Sequence, residues 1–337
     1  MAVPQRKVAS SARPRIGVVL GAGGVLGAAW MAGALAALQE RLPCPIADVD
    51  LMVGTSAGSV MTAALRCGVD AREIVEHQRG ARLAALPRLA ELDREAGAWP
   101  PLPRLRIGSP RLLATTALAP HRVHPWVAAS AMALQGRAHH RSLTALVQGL
   151  LAHEAGTTAG PLATWPRRGE TWILAVDYQS GQRVVFGRGD APAVPLPDAV
   201  AASCSIPGWY EPKAIEGRRY IDGGVHSSTS LDLLATAGLD EVYVLAPMAS
   251  YAMDNPRSPA ARLERMFRRV ITIGLTLEAR KVRATGTRVT LLAPGPADLT
   301  AIGANMMDPA RRRQVLETSL RTSAAAFMAA QPTRRAA

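Results

Sequence analysis

Twice within the first 70 residues one pattern recurs: a short run of β-branched and aliphatic residues, a turn crowded with glycine, then a stretch of strong helix formers. Residues 15–20, RIGVVL, pass through GAGGVLG into AAWMAGALAALQERL; residues 50–54, DLMVG, turn through GTSAG and continue as SVMTAALRCG. Alanine and leucine favour the helix, and unbroken apolar runs of five or six residues suit strands covered on both faces. Two strand–turn–helix units in succession predict an α/β chain with a parallel sheet covered by helices.

Later segments fit that scheme. TWILAVDYQSGQRVVF at 171–186 reads as paired strands around the turn-forming Ser180 and Gly181, and VYVLAP at 242–247 and RVTLLAP at 288–294 as further strands. Residues 231–237, 260–284 and 309–330 have helical character. Between the halves, 71–96 alternates charged and apolar residues at helical spacing until Pro100, Pro101, Pro103 and Pro110 break it. Helical pieces are expected near 126–135 and 142–153, with the proline-rich connection either a lid or a surface excursion. No internal repeat or interdomain linker emerges. The expected organisation is a flexible segment 1–14, one α/β domain over 15–330 whose 71–170 region is a helical, lid-forming insertion, and a disordered tail 331–337.

The 337 residues carry a net charge of +13, with 39 Lys and Arg against 26 Asp and Glu, which favours contact with anionic surfaces. Dispersed arginine that only confers solubility is the competing reading. Nucleic acid is not expected as a partner, because no zinc-finger spacing, RNA-recognition signature or basic-aromatic interleaving is present. Cys44, Cys67 and Cys204 lie far apart, without metal-ligand spacing and in an odd number, so a reducing, cytoplasmic setting is expected. The basic N-terminus leads into a glycine-broken strand rather than a signal core. Residues 16–38 have the length of a bilayer span, about 20 residues, but five glycines interrupt them, and they read better as strand, turn and buried helix.

The second turn carries chemistry. Gly54-Thr55-Ser56-Ala57-Gly58 is a G-x-S-x-G sequence set where a strand meets a helix, the context in which a serine hydroxyl projects from a sharp turn toward a helix N-terminus. A glycine-flanked serine that merely caps a helix is the plainer alternative. A nucleophilic serine needs a base. Of the histidines at 77, 121, 124, 139, 140, 153 and 226, only His226 follows a glycine-flanked aspartate, four residues after Asp222, too close for the usual separate acid and histidine loops. Asp222 itself, in YIDGGVHSS, is the other candidate base: a carboxylate at a strand end, followed by Gly223 and Gly224, which permit a tight turn. An ordinary Asp-Gly turn would look the same. The third element, the loop Gly21 to Gly27, leaves amides free to face an anion at a helix N-terminus. As a dinucleotide fingerprint it fails at Leu26, although a looser nucleotide-binding oxidoreductase reading stays open.

In their order, the glycine loop, the GTSAG turn and the late Asp-Gly-Gly resemble the bacterial type of the patatin-like phospholipase family. The resemblance spans about residues 15–70 and 171–247, including AASCSIPGWYEPKAIEGRRYIDGGVHSSTSLDLL at 201–234. It implies a three-layer α/β/α fold and a Ser-Asp dyad that hydrolyses phospholipid or other acyl-ester lipids, without metal or cofactor. By position Ser56 is the nucleophile and Asp222 the base, Gly54 and Gly58 flank the elbow, and Gly23, Gly24 and Ala57 offer oxyanion amides. Gly21, Gly27, Gly223 and Gly224 support the loops. Three departures stand out: Leu26 where the family has arginine or lysine, Ala22 where it has glycine, and Ser228 and Ser230 where Asn and Pro are common. A catalytically silent lipid-binding protein is the reading these departures favour.

Overall fold

The computed structural model describes residues 13–83, 89–156 and 164–329. In chain order its strands are β1 (Ile16–Leu20), β2 (Leu51–Thr55), β3 (Arg104–Ile107), β4 (Leu134–Gln135), β5 (Glu170–Asp177), β6 (Arg183–Phe186), β7 (Lys213–Ile215), β8 (Arg218–Asp222), β9 (Glu241–Leu245) and β10 (Arg288–Leu292). Its helices are α1 (Gly24–Gln39), α2 (Ala57–Arg66), α3 (Ala71–Gln78), α4 (Leu89–Ala96), α5 (Pro110–Leu118), α6 (Pro125–Ser130), α7 (Arg141–Ala155), α8 (Leu196–Ser203), α9 (Pro259–Arg283), α10 (Pro296–Ile302) and α11 (Arg312–Ala329).

An eight-stranded sheet runs in the order β10-β9-β1-β2-β5-β8-β7, with β6 also on β5. The five strands from β10 to β5 are parallel, while β6 and β8 run antiparallel to β5, and β7 antiparallel to β8. Alternate residues of each strand feed opposite cores, as a pleated strand requires. Val18, Leu20 and Met52 pack with α1, α2, α8 and α11 on one face, and Val19, Leu51 and Val53 with Leu275, Ala279 and Val282 of α9 on the other. Helices cover both faces, and the fold is the expected three-layer α/β/α.

Helix α1 is buried nearly all round because α11 closes its outer side. A Cβ on Gly33 would come within 2.7 Å of the Leu320 amide, and the Ser319 hydroxyl donates to the Trp30 carbonyl at 2.6 Å. The middle region is anchored rather than loose. Leu112, Val127 and Ala131 of the α5–α6 stretch pack on Val176, Tyr178 and Ile221 at the end of β5 and β8.

Several boundaries differ from the sequence expectations. Helix α1 begins at Gly24, inside the glycine loop, because the Gly27 amide already donates to the Gly23 carbonyl at 2.8 Å. The helix expected over 126–135 stops at Ser130, and Leu134–Gln135 pairs with β3 instead. Residues 231–236 form a 3-10 helix, and a 3-10 turn at Pro309–Arg311 precedes α11. The 71–96 stretch holds α3 and α4, with 84–88 outside the described residues. Of the segment 1–14 only Arg13 and Pro14 are described, and the tail 331–337 lies outside the described residues. No described helix is long and apolar enough to cross a membrane.

Candidate active site

Sheet register brings the two candidate residues to one level. Thr55 of β2 pairs with Leu174 of β5, and the next residue, Ala175, pairs with Asp222 of β8; because β6 occupies the opposite edge of β5 over Ile173–Val176, β2 and β8 follow one another along one edge. β2 runs parallel to β5 and β8 antiparallel to it, so their C-terminal ends converge at this point of the edge. There the Ser56 hydroxyl stands against the Asp222 carboxylate.

Ser56 sits in a strained backbone conformation, φ 53° and ψ −122°, immediately before α2. A non-glycine residue in this region is uncommon and is held there only by the structure around it. What permits the turn is steric. A Cβ on Gly58 would fall 1.9 Å from the Leu20 carbonyl oxygen at the end of β1, and one on Gly54 would fall 2.6 Å from the Ser59 Cα. Glycine at both positions lets the first turn of α2 lie directly against the neighbouring strand.

Helix α8 backs the pair. The Ser203 hydroxyl accepts from the Ser56 amide at 2.9 Å, and the Ser205 carbonyl accepts from the Asp222 amide at 3.0 Å. Ser59 donates to the Ser56 carbonyl at 2.6 Å. The Cys204 thiol contacts both serines and is held neutral, its pKa pushed well up by burial and by the Asp222 charge. None of these groups was assigned a supporting role from sequence; Ser203, Cys204 and Ser205 belong to AASCS, a run of small residues that was their one signal.

Burial pushes the Asp222 pKa up from 3.8 to about 6, opposed by hydrogen bonds from the Ser56 hydroxyl and the Gly224 amide, the latter at 2.7 Å. A carboxyl so placed changes charge close to neutral pH, as an acid-base group must. His226 stands apart from the pair: its ring packs against His124 with centroids 4.6 Å apart, and no hydrogen bond joins it to Ser56 or Asp222 among the described residues. Burial, then the Arg183 charge, lower its pKa to about 3, so it is neutral at pH 7.

The glycine loop closes the other side of the pair. Gly21 donates to the Leu245 carbonyl at 2.9 Å and Ala22 to the Ser228 carbonyl at 2.8 Å, while the methyl of Ala22 lies against Gly224. Those two amides are spent, and Gly23 and Gly24 are the loop amides that border the cavity beside Ser56 and Asp222. Ala57, whose amide opens α2, borders a second cavity beside Ser56. The loop's positive φ, 58°, falls at Gly24, so alanine at position 22 carries no backbone strain. Leu26 is fully buried in the core, and its amide donates to the Met306 carbonyl at 2.9 Å. The position where the family carries a cation is here a packing position. Gly21 packs on the Leu245 carbonyl, Gly27 on Pro247 and Gly223 on the Leu174 carbonyl, all three as spacers.

Ser56 lies where two cavities meet. One, about 170 Å³, is walled by Val25, Val60, Met61, Ala64, Leu143 and Leu146, and Arg312 at its margin bonds Gln78 at 2.9 Å and pairs with Asp93. The other, about 910 Å³, opens between Trp99, Trp126, Phe267, Leu277 and the loop after Asp222. Among the described residues no cluster of His, Cys, Asp or Glu is arranged to hold a metal ion.

Residues 18–235, more than half of the chain, match the family model described as patatin-like phospholipase. The chain therefore belongs to the patatin-like phospholipase family, a family of lipid acyl hydrolases. It is also similar to the crystal structure of VipD from Legionella pneumophila, at 13% identity over 95% of this chain and 68% of that one, with a TM-score of 0.44. The crystal structure of the type III effector protein ExoU is similar at 17% identity over 94% of this chain and 53% of that one, with a TM-score of 0.38.

Proposed function

We propose that the chain hydrolyses carboxyl esters of lipids, in the manner of a phospholipase A or lysophospholipase, through a Ser56–Asp222 dyad. The Ser56 hydroxyl set against a buried carboxylate whose pKa is about 6, at the strained turn that opens α2, carries this reading. As Ser56 Oγ bonds to the ester carbonyl carbon, its proton passes to Asp222, and the carbonyl oxygen gains the charge. The Gly23 and Gly24 amides, with Ala57 at the start of α2, supply the donors for that oxyanion, each worth about 3 kcal/mol in such a site. When the carbon–oxygen bond of the ester breaks, the departing alkoxide takes the proton from Asp222 and leaves an acyl-serine. Water then attacks the acyl carbon as Asp222 takes its proton, and collapse returns that proton to Ser56.

The two cavities suit the two halves of such a substrate. The narrow apolar one receives the acyl chain, and the wide one the alcohol part with its headgroup. Their walls draw on residues from Gly24 to Arg312, so residues 15–330 act as one unit in this reading. The net charge of +13 favours work at an anionic membrane surface reached from the cytoplasm.

The test compares the wild type with Ser56→Ala on short p-nitrophenyl esters and on a mixed lipid extract resolved by mass spectrometry. The variant should lose turnover by on the order of 10⁴-fold or more, and the lipids consumed by the wild type alone name the substrate class. Turnover that survives the substitution overturns the dyad. A wild type that hydrolyses nothing and takes no fluorophosphonate label is a silent lipid-binding protein.

A further inference from the structure

Helix α9 carries two apolar stripes where a surface helix of a globular protein needs one. Leu275, Ala279 and Val282 face the second core. Leu263, Met266, Phe267, Val270, Ile273 and Leu277 are 44–68% exposed. At about 100° per residue these six fall within an arc of about 120°, turned away from the core stripe. A contiguous exposed apolar face of this kind marks an interaction surface rather than scattered exposure.

The charges on the same helix select the partner. Its only acids, Glu264 and Glu278, are turned inward: Glu264 pairs with Arg265 and Arg268, and Glu278 accepts from Ser227 at 2.6 Å and Thr229 at 2.9 Å. Arg262, Arg269, Arg280, Lys281 and Arg283 are exposed. Arg262, Arg269 and Arg280 form a row directly beside the apolar arc. The outward surface of α9 is thus aliphatic and cationic, with no carboxylate, which is the make-up of a helix lying in the headgroup region of an anionic bilayer.

Position joins this surface to the site. Phe267, Val270 and Leu277 form part of the rim of the wide cavity, and Trp126 meets Phe267 edge-on at 5.7 Å. Trp99, 77% exposed, stands on the same rim. Tryptophan is favoured where apolar and aqueous phases meet. From its inner face α9 holds both site loops, through Glu278 on the segment after Asp222 and through Arg268, which donates to the Pro247 carbonyl beneath Gly23. The helix lies outside the residues matched by the family model, 18–235.

We infer that the outer face of α9, with Trp99 and Trp126, is a docking surface for an anionic lipid bilayer that seats the mouth of the wide cavity on the membrane. The inference rests on the acyl-hydrolase reading for what the mouth receives. Docked in this way, the apolar stripe enters the acyl boundary, the arginine row pairs with lipid phosphates, and a lipid can move from the bilayer to Ser56 without crossing bulk water.

Cosedimentation with vesicles tests it, using phosphatidylcholine alone and phosphatidylcholine mixed equally with phosphatidylglycerol. The triple variant Leu263→Glu, Met266→Glu, Ile273→Glu changes exposed positions that border neither cavity. It should bind the mixed vesicles about tenfold or more weakly than the wild type, while hydrolysis of a dispersed short-chain ester stays within about twofold. A second variant, Arg262→Ser, Arg269→Ser, Arg280→Ser, should lose the preference for mixed over neutral vesicles, and added salt should do the same to the wild type. Unchanged vesicle binding by both variants overturns the proposal. So does a wild type that ignores vesicles and instead forms a dimer by analytical ultracentrifugation that the glutamate variant disperses. Vesicle binding lost in the variants, with no ester hydrolysis by any form, supports the docking surface and sinks the acyl-hydrolase reading alone.

Discussion

The floor of the site and the rim of its mouth are built on opposite terms. At the floor, Ser56 and Asp222 are both 5% exposed, each backbone is held by a residue of the 203–205 stretch, and the glycines beside them touch main-chain atoms of neighbouring strands. At the rim, α9 shows a third of a turn of large apolar side chains that are 44–68% exposed. The floor is over-determined by its own fold, whereas the rim is complete only against something outside it. Substitutions of side chains should therefore act on chemistry and folding at the floor, and chiefly on association at the rim.

The largest effect distinguishes the two at Asp222. Asp222→Asn should lower kcat/KM by on the order of 10³-fold or more, and should also stabilise the fold. The native carboxyl holds its proton up to about pH 6 against 3.8 in the unfolded chain, so this group's contribution to stability falls as pH rises between those values. At pH 7 the buried carboxylate costs the folded state about 3 kcal/mol, and the amide escapes that cost. Urea unfolding at pH 7 and pH 4 reads the difference, which should nearly vanish at pH 4. In the wild type, kcat/KM should rise with pH to a plateau above about 6, since the base must be unprotonated. A stability of Asp222→Asn below that of the wild type at pH 7 breaks the assignment of a desolvated base.

Two glycine-to-alanine changes, each in a helix, should go in opposite directions. Gly58→Ala drives a methyl to 1.9 Å from the Leu20 carbonyl and should cost about 3 kcal/mol or more, with loss of activity. Gly274→Ala, in the exposed stripe of α9 with nothing within 4 Å of the added methyl, should stabilise by up to about 1 kcal/mol. Urea midpoints measured side by side decide it, and equal shifts would erase the contrast. The smallest expected change belongs to His226→Ala. Because that ring bonds neither Ser56 nor Asp222, kcat should stay within about threefold; a loss approaching that of Asp222→Asn would restore a triad.

The strand–turn–helix units and the Ser56 turn were legible because everything that makes them is contiguous in the chain. The start of α1 was misjudged at Gly24 because glycine is a poor helix former, and what overrides that preference is Pro247, more than 200 residues away, lying against Gly23 and Gly27. Asp222 could be ranked among candidate bases but not placed, because its approach to Ser56 depends on β8 following β2 along the same edge of β5. Ser203, Ser205 and Cys204 support the pair through long-range contacts that leave no local pattern. The helix at 260–284 was visible as a helix, but its composition does not say which of two apolar stripes the core takes.

In the proposed reading the two ends of a substrate never share a room, because Ser56 stands at the seam of two cavities with few walls in common. The narrow chamber is walled mainly by α1, α2, α3, α4 and α7, the broad one largely by α9 and the loops after β8 and β9. Selection on tail length can thus proceed without disturbing the tolerance for headgroups, and the reverse. A scaffold partitioned in this way can diversify one lipid preference at a time while its hydrolytic centre stays untouched.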